Sequence, residues 1–378
     1  MRKTAIFLVM LTVAWNVWAQ DREIVSGSVT AVTPQGSYTP SFEADGADRA
    51  PVNVILMIGD GMGMAHISSA MYANGGELTI TNLRTCGWVR TQSATHFTTD
   101  SAASGTAYAT GIKSHNSAIG VDVDDEPVAD IPEKVAGAGI VSGVVSTDLL
   151  DGATPAAFFA HQPKRYMAAE IWADIPASKL SFFAAGSAGK FAEKSAETRS
   201  AIEEKFTVVN ALSEVPEGAG RVGYLPKDDE WYSKENGFGS WLPETTQFAI
   251  DFLASKSGDG KGFFLMVEGA HIDKYSHGND FASMVREMLA FDKAVEAAVR
   301  FAEKEGNTLV VISADHETGA LTLDDGNPSK GDMSGIFVSH HHTAIPVPLF
   351  AYGPGSKEFM GVQENSDVSN KIVKLLTE

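Results

Sequence analysis

The chain alternates short, almost wholly apolar runs with longer amphipathic segments. The apolar runs cover residues 52–58, 140–145, 262–267, 308–312 and 346–350. Runs this short and apolar are typical of strands buried on both faces of a parallel sheet. The clearest amphipathic segment, residues 280–305, repeats apolar residues every three or four positions and is followed by Gly306. The alternation predicts an α/β fold, a three-layer sandwich whose central, mostly parallel sheet is flanked by helices.

Three further helices are expected, over residues 101–110, 155–170 and 242–255. Residues 190–232 are charged and less regular, and we interpret them as peripheral. The pattern contains no internal repeat and no linker between domains. We therefore expect one catalytic domain over residues 51–378.

The first 19 residues are typical of a cleaved signal peptide. Arg2 and Lys3 precede an apolar run over residues 4–18, and small or modest residues stand before the expected cleavage point at Ala19. An uncleaved anchor is the alternative, but the run is shorter than the roughly 20 residues that span a bilayer. Residues 20–50 then read as a surface arm. We expect a periplasmic or secreted protein with no integral membrane segment after cleavage.

Composition narrows the possible functions. The 378 residues are 44% hydrophobic and 20% charged, which is ordinary for a globular protein. A formal net charge of −19 excludes a general nucleic-acid-binding surface and would repel anionic substrates unless cations lie at the site. Cys86 is the only cysteine, so the chain forms no internal disulfide, and we expect its thiol to be packed.

Each of four apolar runs leads into residues that can hold a cation. In chain order these are Asp60, then Ser146, Thr147 and Thr154, then Glu268, then Asp315 and His316. Ligands of open α/β sheets gather beyond the carboxyl ends of the strands, so these side chains are expected in one crevice. Each alone could cap a helix or fill the core. Together they would be very costly to bury without cations.

Imidazoles join these carboxylates further along the chain. Asp273 and His277 stand four residues apart and share one face of a helical turn. Residues 340–342 add three consecutive histidines. Carboxylates with imidazoles and no thiolate favour zinc in a site of catalytic type.

Ser101 stands in a run of small and hydroxylic residues, 98–107, where an extended segment leads into a helix. In the first helical turn it would lie beside unpaired backbone N–H groups, which favour an alkoxide or a phosphoryl group. We interpret Ser101 as a nucleophile. The alternative is that Asp100 or Ser101 merely caps the helix.

From about Val52 to Pro354 the sequence resembles the alkaline phosphatase family. The motifs that carry the resemblance are Ile58-Gly59-Asp60-Gly61-Met62-Gly63, Thr99-Asp100-Ser101-Ala102-Ala103, Ala153-Thr154-Pro155-Ala156-Ala157, Val267-Glu268-Gly269, Ile272-Asp273, Ala314-Asp315-His316 and His342-Thr343. They occur in the family's order and approximate spacing.

The resemblance implies two zinc ions and one magnesium ion. One zinc would be held by Asp273, His277 and His342, and the second by Asp60, Asp315 and His316 with Ser101 close by. Magnesium would be held by Asp60, Thr154 and Glu268. Arg165 matches the family's phosphate-clamping arginine, Asp100 would orient it, and Lys274 stands at a substrate-side position that varies among bacterial members.

The expected activity is hydrolysis of small phosphate monoesters through a phosphoserine on Ser101. One alternative is a phosphodiesterase of the same superfamily, which usually has threonine as nucleophile and lacks the arginine clamp, so Ser101 with Arg165 argues against it. Another is an exported metal- or phosphate-binding protein without turnover. A sulfatase is excluded because Cys86 lacks the Cys-x-Pro-x-Arg signature.

Two features depart from the family pattern. Gly152 stands where characterised relatives carry Asp or His, so the magnesium site is expected to be weak unless Asp151 reaches round to fill that role. The segment between His316 and His342 is short and polar, which predicts a reduced crown. Any homodimer would then use the sheet edges or the arm.

Overall fold

The computed structural model describes residues 25–29, 33–327, 330 and 332–378. The strands are β1 (Val25–Val29), β2 (Asn53–Gly59), β3 (Thr85–Arg90), β4 (Val141–Ser146), β5 (Leu180–Ala185), β6 (Thr207–Val209), β7 (Val222–Tyr224), β8 (Phe263–Gly269), β9 (Thr308–Ser313), β10 (Glu317–Thr318), β11 (Thr322–Asn327), β12 (Asp332–Phe337), β13 (His342–Thr343), β14 (Val347–Tyr352) and β15 (Gly361–Glu364). The expected signal peptide lies outside the described residues.

The α-helices are α1 (Met64–Ala73), α2 (Ser101–Thr110), α3 (Ile131–Ala136), α4 (Ala153–Ala156), α5 (Ala168–Asp174), α6 (Ala188–Ala192), α7 (Ala196–Lys205), α8 (Asp228–Trp231), α9 (Trp241–Lys256), α10 (His271–His277), α11 (Phe281–Glu305) and α12 (Asn365–Thr377). The helices predicted over 101–110, 242–255 and 280–305 are confirmed as α2, α9 and α11. None of the described helices is long and apolar enough to cross a bilayer.

The described part of the central sheet has ten strands in the order β15-β3-β14-β9-β2-β8-β4-β5-β7-β6. Strand β14 runs antiparallel to its neighbours β3 and β9, and the other adjacent pairs are parallel. Strands β2, β8 and β9 are buried along their whole length, as strands covered by helices on both faces must be. The predicted α/β sandwich with a mostly parallel sheet is confirmed.

Helices cover both faces of this sheet. Helices α9 and α11 pack against each other and on β4, β8 and β9. Helices α2 and α12 form a second group, which also includes α4. The apolar residues between these layers make one continuous core.

The helix predicted over residues 155–170 is wrong. Helix α4 ends at Ala156 and α5 begins at Ala168. Between them, Gln162 exchanges backbone hydrogen bonds with Ile119 at 2.8 and 2.9 Å, and Pro163 has no N–H to donate to a helix. The resulting loop carries Arg165.

Cys86 is exposed, so the expectation of a packed thiol is also wrong. Strand β3 alternates buried and exposed residues, with Thr85, Gly87 and Val89 facing inwards. Period-two alternation places Cys86 and Trp88 on the outer face.

The short polar segment after His316 forms a small sheet outside the main one. Strands β11 and β12 pair as antiparallel neighbours, and β1 of the arm adds to the other side of β12.

Candidate active site

The carboxyl ends of adjacent strands β9, β2, β8 and β4 bring together the residues expected in one crevice. Asp60 follows β2, Asp315 and His316 follow β9, and Glu268 lies near the end of β8, where it pairs in register with Ile58 of β2. All four polar side chains are buried. Because these strands are adjacent and parallel, residues that are distant in sequence lie together in one polar cluster.

Ser101 begins helix α2 and faces this cluster. Asp100 is the N-cap, and its Oδ1 accepts a hydrogen bond from Ala103 N at 3.0 Å. The same carboxylate accepts from Ser117 N, so it is fixed from two sides. Ser101 Oγ lies 3.2 Å from His316 Nε2, and the serine is buried, with only 4% of its surface exposed. Asp100 therefore caps the helix and leaves the Ser101 hydroxyl directed at the cluster.

Asp60, Asp315 and His316 form one group of potential metal ligands, with donor atoms within 4.8 Å of one another. His316 Nε2 lies 3.1 Å from Asp315 Oδ2 and 3.5 Å from Asp60 Oδ1. Neither of these carboxylate oxygens makes a hydrogen bond. Burial and the charge of Asp315 raise the pKa of Asp60 well above its usual range. A divalent cation would satisfy both oxygens and relieve this repulsion.

Asp273, His277 and His342 form a second such group. His277 Nδ1 contacts the carbonyl oxygen of His340 at 2.5 Å, and His342 Nδ1 contacts that of Thr99 at 2.9 Å. A carbonyl only accepts, so both rings carry a proton on Nδ1. In the neutral rings, the Nε2 atoms are then unprotonated, yet they face each other at 3.0 Å. A cation between them fits this arrangement.

The expected magnesium ligands Thr154 and Glu268 lie next to each other, and Glu268 is close enough to Asp60 for its charge to raise the pKa of Asp60. Glu268 Oε2 accepts a short hydrogen bond from Ser146 Oγ. Thr154 is buried beside Glu268 and lowers its pKa, although Thr154 Oγ1 makes no hydrogen bond of normal geometry. Burial, followed by the charge of Asp148, nevertheless raises the pKa of Glu268 to about 8. The carboxylates and the unpaired hydroxyl fit a hard cation that takes oxygen ligands.

Arg165 and Lys274 occupy different surroundings. Arg165 Nη1 lies 3.3 Å from Asp100 Oδ2, and Arg165 N donates to Ser117 O at 2.8 Å, which holds the loop against the start of α2. Lys274 Nζ instead contacts Asp148 Oδ1 at 2.5 Å. Asp100 thus contacts Arg165, whose role in phosphate binding stays a prediction, whereas the sequence did not predict the contact between Lys274 and Asp148.

Two side chains of the cluster, Thr318 and Asp148, were missed at the level of sequence. Thr318 Oγ1 donates to Asp273 Oδ1 at 2.5 Å and lies 3.2 Å from His316 Nδ1, so it links the two ligand groups. Ser146 contacts Glu268, and Asp148 contacts Lys274. No sequence pattern distinguishes Thr318 or Asp148 from other hydroxyl or carboxylate residues near a motif, whereas Ser146 was indicated by the apolar run that it follows.

A third group of potential ligands, Asp130, Glu133 and His161, lies outside this cluster. Asp130 caps helix α3 through Glu133 N, and Glu133 reciprocates by accepting from Asp130 N. His161 Nδ1 contacts Gly120 O at 2.7 Å. This capping box accounts for the proximity of the two carboxylates.

Comparisons with known proteins agree with the geometry. A model of the alkaline phosphatase family matches residues 52–187 and 232–335. Alkaline phosphatase 4 of Bacillus subtilis is 31% identical, over 89% of this chain and 92% of its own length. Alkaline phosphatase of Escherichia coli is 29% identical, over 88% of each chain. The structure of alkaline phosphatase from the Antarctic bacterium TAB5 has a TM-score of 0.80 at 37% identity, over 87% of this chain and 98% of its own.

Proposed function

The chain belongs to the alkaline phosphatase family, and we propose that it hydrolyses phosphate monoesters by passing the phosphoryl group first to Ser101 and then to water. The observation that carries this proposal is the position of Ser101 Oγ, 3.2 Å from His316 Nε2 at the beginning of α2. The hydroxyl thus lies beside a group of ligands in a buried site, where a nucleophile and its activating charge must meet.

We assign the ions from the donor sets. Zinc suits Asp273, His277 and His342, and equally Asp60, Asp315 and His316, because both sets combine imidazole with carboxylate. Magnesium suits the oxygen donors of Asp60, Thr154 and Glu268. When bound, the ions lower the pKa of a hydroxyl or water and stabilise the charge on the leaving oxygen.

The residues of this chain supply the remaining chemistry. Ser101 Oγ gives up its proton to solvent and attacks phosphorus, the new O–P bond replaces the ester O–P bond, and the leaving oxygen takes up a proton from solvent. Arg165 binds two equatorial phosphate oxygens through its guanidinium, and Asp100 keeps it in place. Water then attacks phosphorus, and Ser101 recovers its proton as inorganic phosphate forms.

The first turn of α2 contributes to phosphate binding. Ala103 N donates to the Asp100 carboxylate and Ser104 N to the Asp100 carbonyl. The N–H groups of Ser101 and Ala102 therefore remain for the phosphoryl oxygens, at the positive end of the helix dipole. This arrangement favours a small dianionic monoester.

Export to the periplasm or the medium is part of the proposal, because the first 19 residues have the pattern of a signal peptide.

Replacement of the nucleophile tests the mechanism. Ser101→Ala should keep its zinc, because the proposed ligands are other side chains, but should form no phosphoenzyme. The measurement is acid trapping of labelled phosphate on parent and variant, with zinc content measured in parallel. Label retained on Ser101→Ala would contradict the assignment. Parallel assays with an aromatic monoester and its matching diester separate the proposed activity from that of a phosphodiesterase.

A further inference from the structure

The space beside Gly152 is filled by the carboxylate of Asp148. A Cβ atom on Gly152 would lie 2.3 Å from Asp148 Oδ2 and 2.8 Å from the carbonyl oxygen of Leu149, much closer than real contacts allow. The glycine therefore makes room for Asp148. A side chain at position 152 and the carboxylate of Asp148 in its present place exclude each other.

Asp148 is also held firmly on its other side. Lys274 Nζ contacts Asp148 Oδ1 at 2.5 Å, so Oδ2 is the oxygen that faces Gly152. The backbone N–H of Asp148 donates to Ser146 Oγ at 2.8 Å, and that hydroxyl donates to Glu268. One chain of contacts therefore joins Asp148 to a proposed magnesium ligand.

We propose that Asp148 is the positioning carboxylate of the magnesium site and replaces the side chain that Gly152 lacks. The inference rests on the proposed function, because it assumes that Asp60, Thr154 and Glu268 hold the ion. Magnesium keeps several of its waters when it binds to protein. A nearby carboxylate accepts hydrogen bonds from such waters and fixes their orientation.

The electrostatics support this placement. After burial, the charge of Asp148 is the largest influence that raises the pKa of Glu268. The two carboxylates are thus close enough to repel each other, and a cation between them relieves the repulsion. Lys274 neutralises part of the charge of Asp148 and leaves its second oxygen available.

Asp151, the other candidate raised by the sequence, has a different partner. Its carboxylate lies 3.6 Å from Lys194 Nζ, and it makes no contact with Lys274 or Glu268 among the described hydrogen bonds and ion pairs. Asp151 therefore provides a matched control. It is the same residue type as Asp148 and directly precedes Gly152, whereas Asp148 stands four positions before it.

Magnesium binding to the zinc-loaded enzyme tests the proposal without reference to turnover. Calorimetric titration with magnesium should give a Kd about 10 to 100 times larger for Asp148→Asn than for the parent, the usual effect of losing an outer carboxylate. Asp151→Asn should bind as the parent does. Equal affinity in the parent and Asp148→Asn, or no magnesium binding by the parent, would overturn the proposal.

A reciprocal exchange makes the test independent of any general loss of structure. Gly152→Asp alone should not tighten binding, because its side chain collides with Asp148. The double variant Gly152→Asp with Asp148→Ala should recover affinity relative to Asp148→Ala, because the carboxylate then returns to position 152. If the site were weak only because Gly152 lacks a carboxylate, as the sequence suggests, Gly152→Asp would instead bind magnesium more tightly as a single variant. Tighter binding by that single variant would contradict the role of Asp148.

The proposed function fails in a different way. Its failure would appear in the parent as absence of a phosphoenzyme or of monoester hydrolysis. Failure of the present inference would leave both intact and would appear as magnesium affinity that does not respond to Asp148.

Discussion

Arg165 reaches the site on a loop, and its geometry is set by the backbone around it. Asp100 caps α2, accepts from Ser117 N and contacts the guanidinium, while Ser117 O accepts from Arg165 N. Asp100, the N-cap of the helix that carries the proposed nucleophile Ser101, thus also positions the Arg165 guanidinium, which is proposed to bind substrate. A bidentate contact from arginine is stronger than the point charge of a lysine could supply.

Arg165→Ala should weaken phosphate binding about 10- to 100-fold while zinc content stays unchanged. The reason is that charge-assisted hydrogen bonds contribute about 1.5 to 3 kcal/mol each, and no proposed metal ligand is altered. The measurement is the inhibition constant of inorganic phosphate, with Lys164→Ala, an exposed neighbour, as the matched control. If phosphate inhibits the Arg165 variant as strongly as the parent, Arg165 is not the clamp.

The sequence could predict the residues that end buried strands, because strand ends in a parallel sheet must share one edge. Asp60, Glu268 and Asp315 were found in this way, and the structure places them together, although their roles stay predictions. Asp148 could not be found. Its proposed role depends on the direction of its carboxylate toward Gly152 and on its contact with Lys274, and both are facts of packing rather than of spacing.

Among the elements, α11 shows how a long amphipathic helix can also bury charge. It begins after its N-cap Asp280, whose side chain accepts from Ser283 N, and ends at Gly306 in the left-handed conformation. Its apolar stripe packs on the sheet. Glu287 is buried as well, where Arg286 Nε approaches its Oε1 at 3.5 Å. Burial raises the pKa of Glu287 to about 7, against the opposing effect of Arg286.

Glu287 should make stability fall as pH rises from about 4.5 to about 7. The folded protein binds this proton more tightly than the unfolded chain, so the contribution of Glu287 is complete below pH 4.5 and is lost as pH passes the folded pKa. Glu287→Gln mimics the protonated form. Urea unfolding of metal-free protein should therefore show the parent losing up to about 3 kcal/mol relative to this variant across that window.

Glu296→Gln is the control for this experiment on the same helix. Burial would raise the pKa of Glu296, but hydrogen bonds from Lys293 and Arg300 lower it overall. The contribution of Glu296 to the free energy of unfolding is therefore lost only as pH falls below the usual glutamate range. It does not change across the window in which Glu287 is expected to titrate. If the free energies of unfolding of the parent and Glu287→Gln differ by a constant amount between pH 4.5 and 8, Glu287 does not titrate as expected.

Elements with a strong period were predictable from the sequence, and elements fixed by distant contacts were not. The 3.6-residue pattern and terminal Gly306 locate α11 almost to the residue. Residues 155–170 have helix-compatible composition at first, yet Pro163 and the pairing of Gln162 with Ile119 prevent a continuous helix. Strand β1 pairs with β12, more than 300 positions away, and no pattern in residues 25–29 indicates which strand they pair with.

At the scale of the whole molecule, the arm is hydrogen-bonded to the segment that follows β14, at the strand ends opposite to the proposed site. Strand β14 is antiparallel, so Tyr352 at its end lies beside Val310, near the amino-terminal end of β9. Just beyond it, Asp45 Oδ1 accepts hydrogen bonds from Gly353 N at 3.1 Å and Ser356 Oγ at 2.9 Å. Gly46 N also donates to Gly353 O at 3.0 Å. The arm thus ties the start of the domain to its carboxyl-terminal part.

Asp45→Ala should lower stability by about 1 to 3 kcal/mol and leave catalysis unchanged. Two hydrogen bonds to a charged oxygen are lost, and the partner groups are partly buried, whereas the proposed site lies at the opposite ends of the parallel strands. The measurement combines the thermal midpoint with zinc content and kcat/KM for a phosphate monoester. Asp48→Ala removes the same charge from an exposed position of the arm and should match the parent in all three. An Asp45 variant that loses zinc or activity at unchanged midpoint would mean that the arm acts on the site and not on the fold.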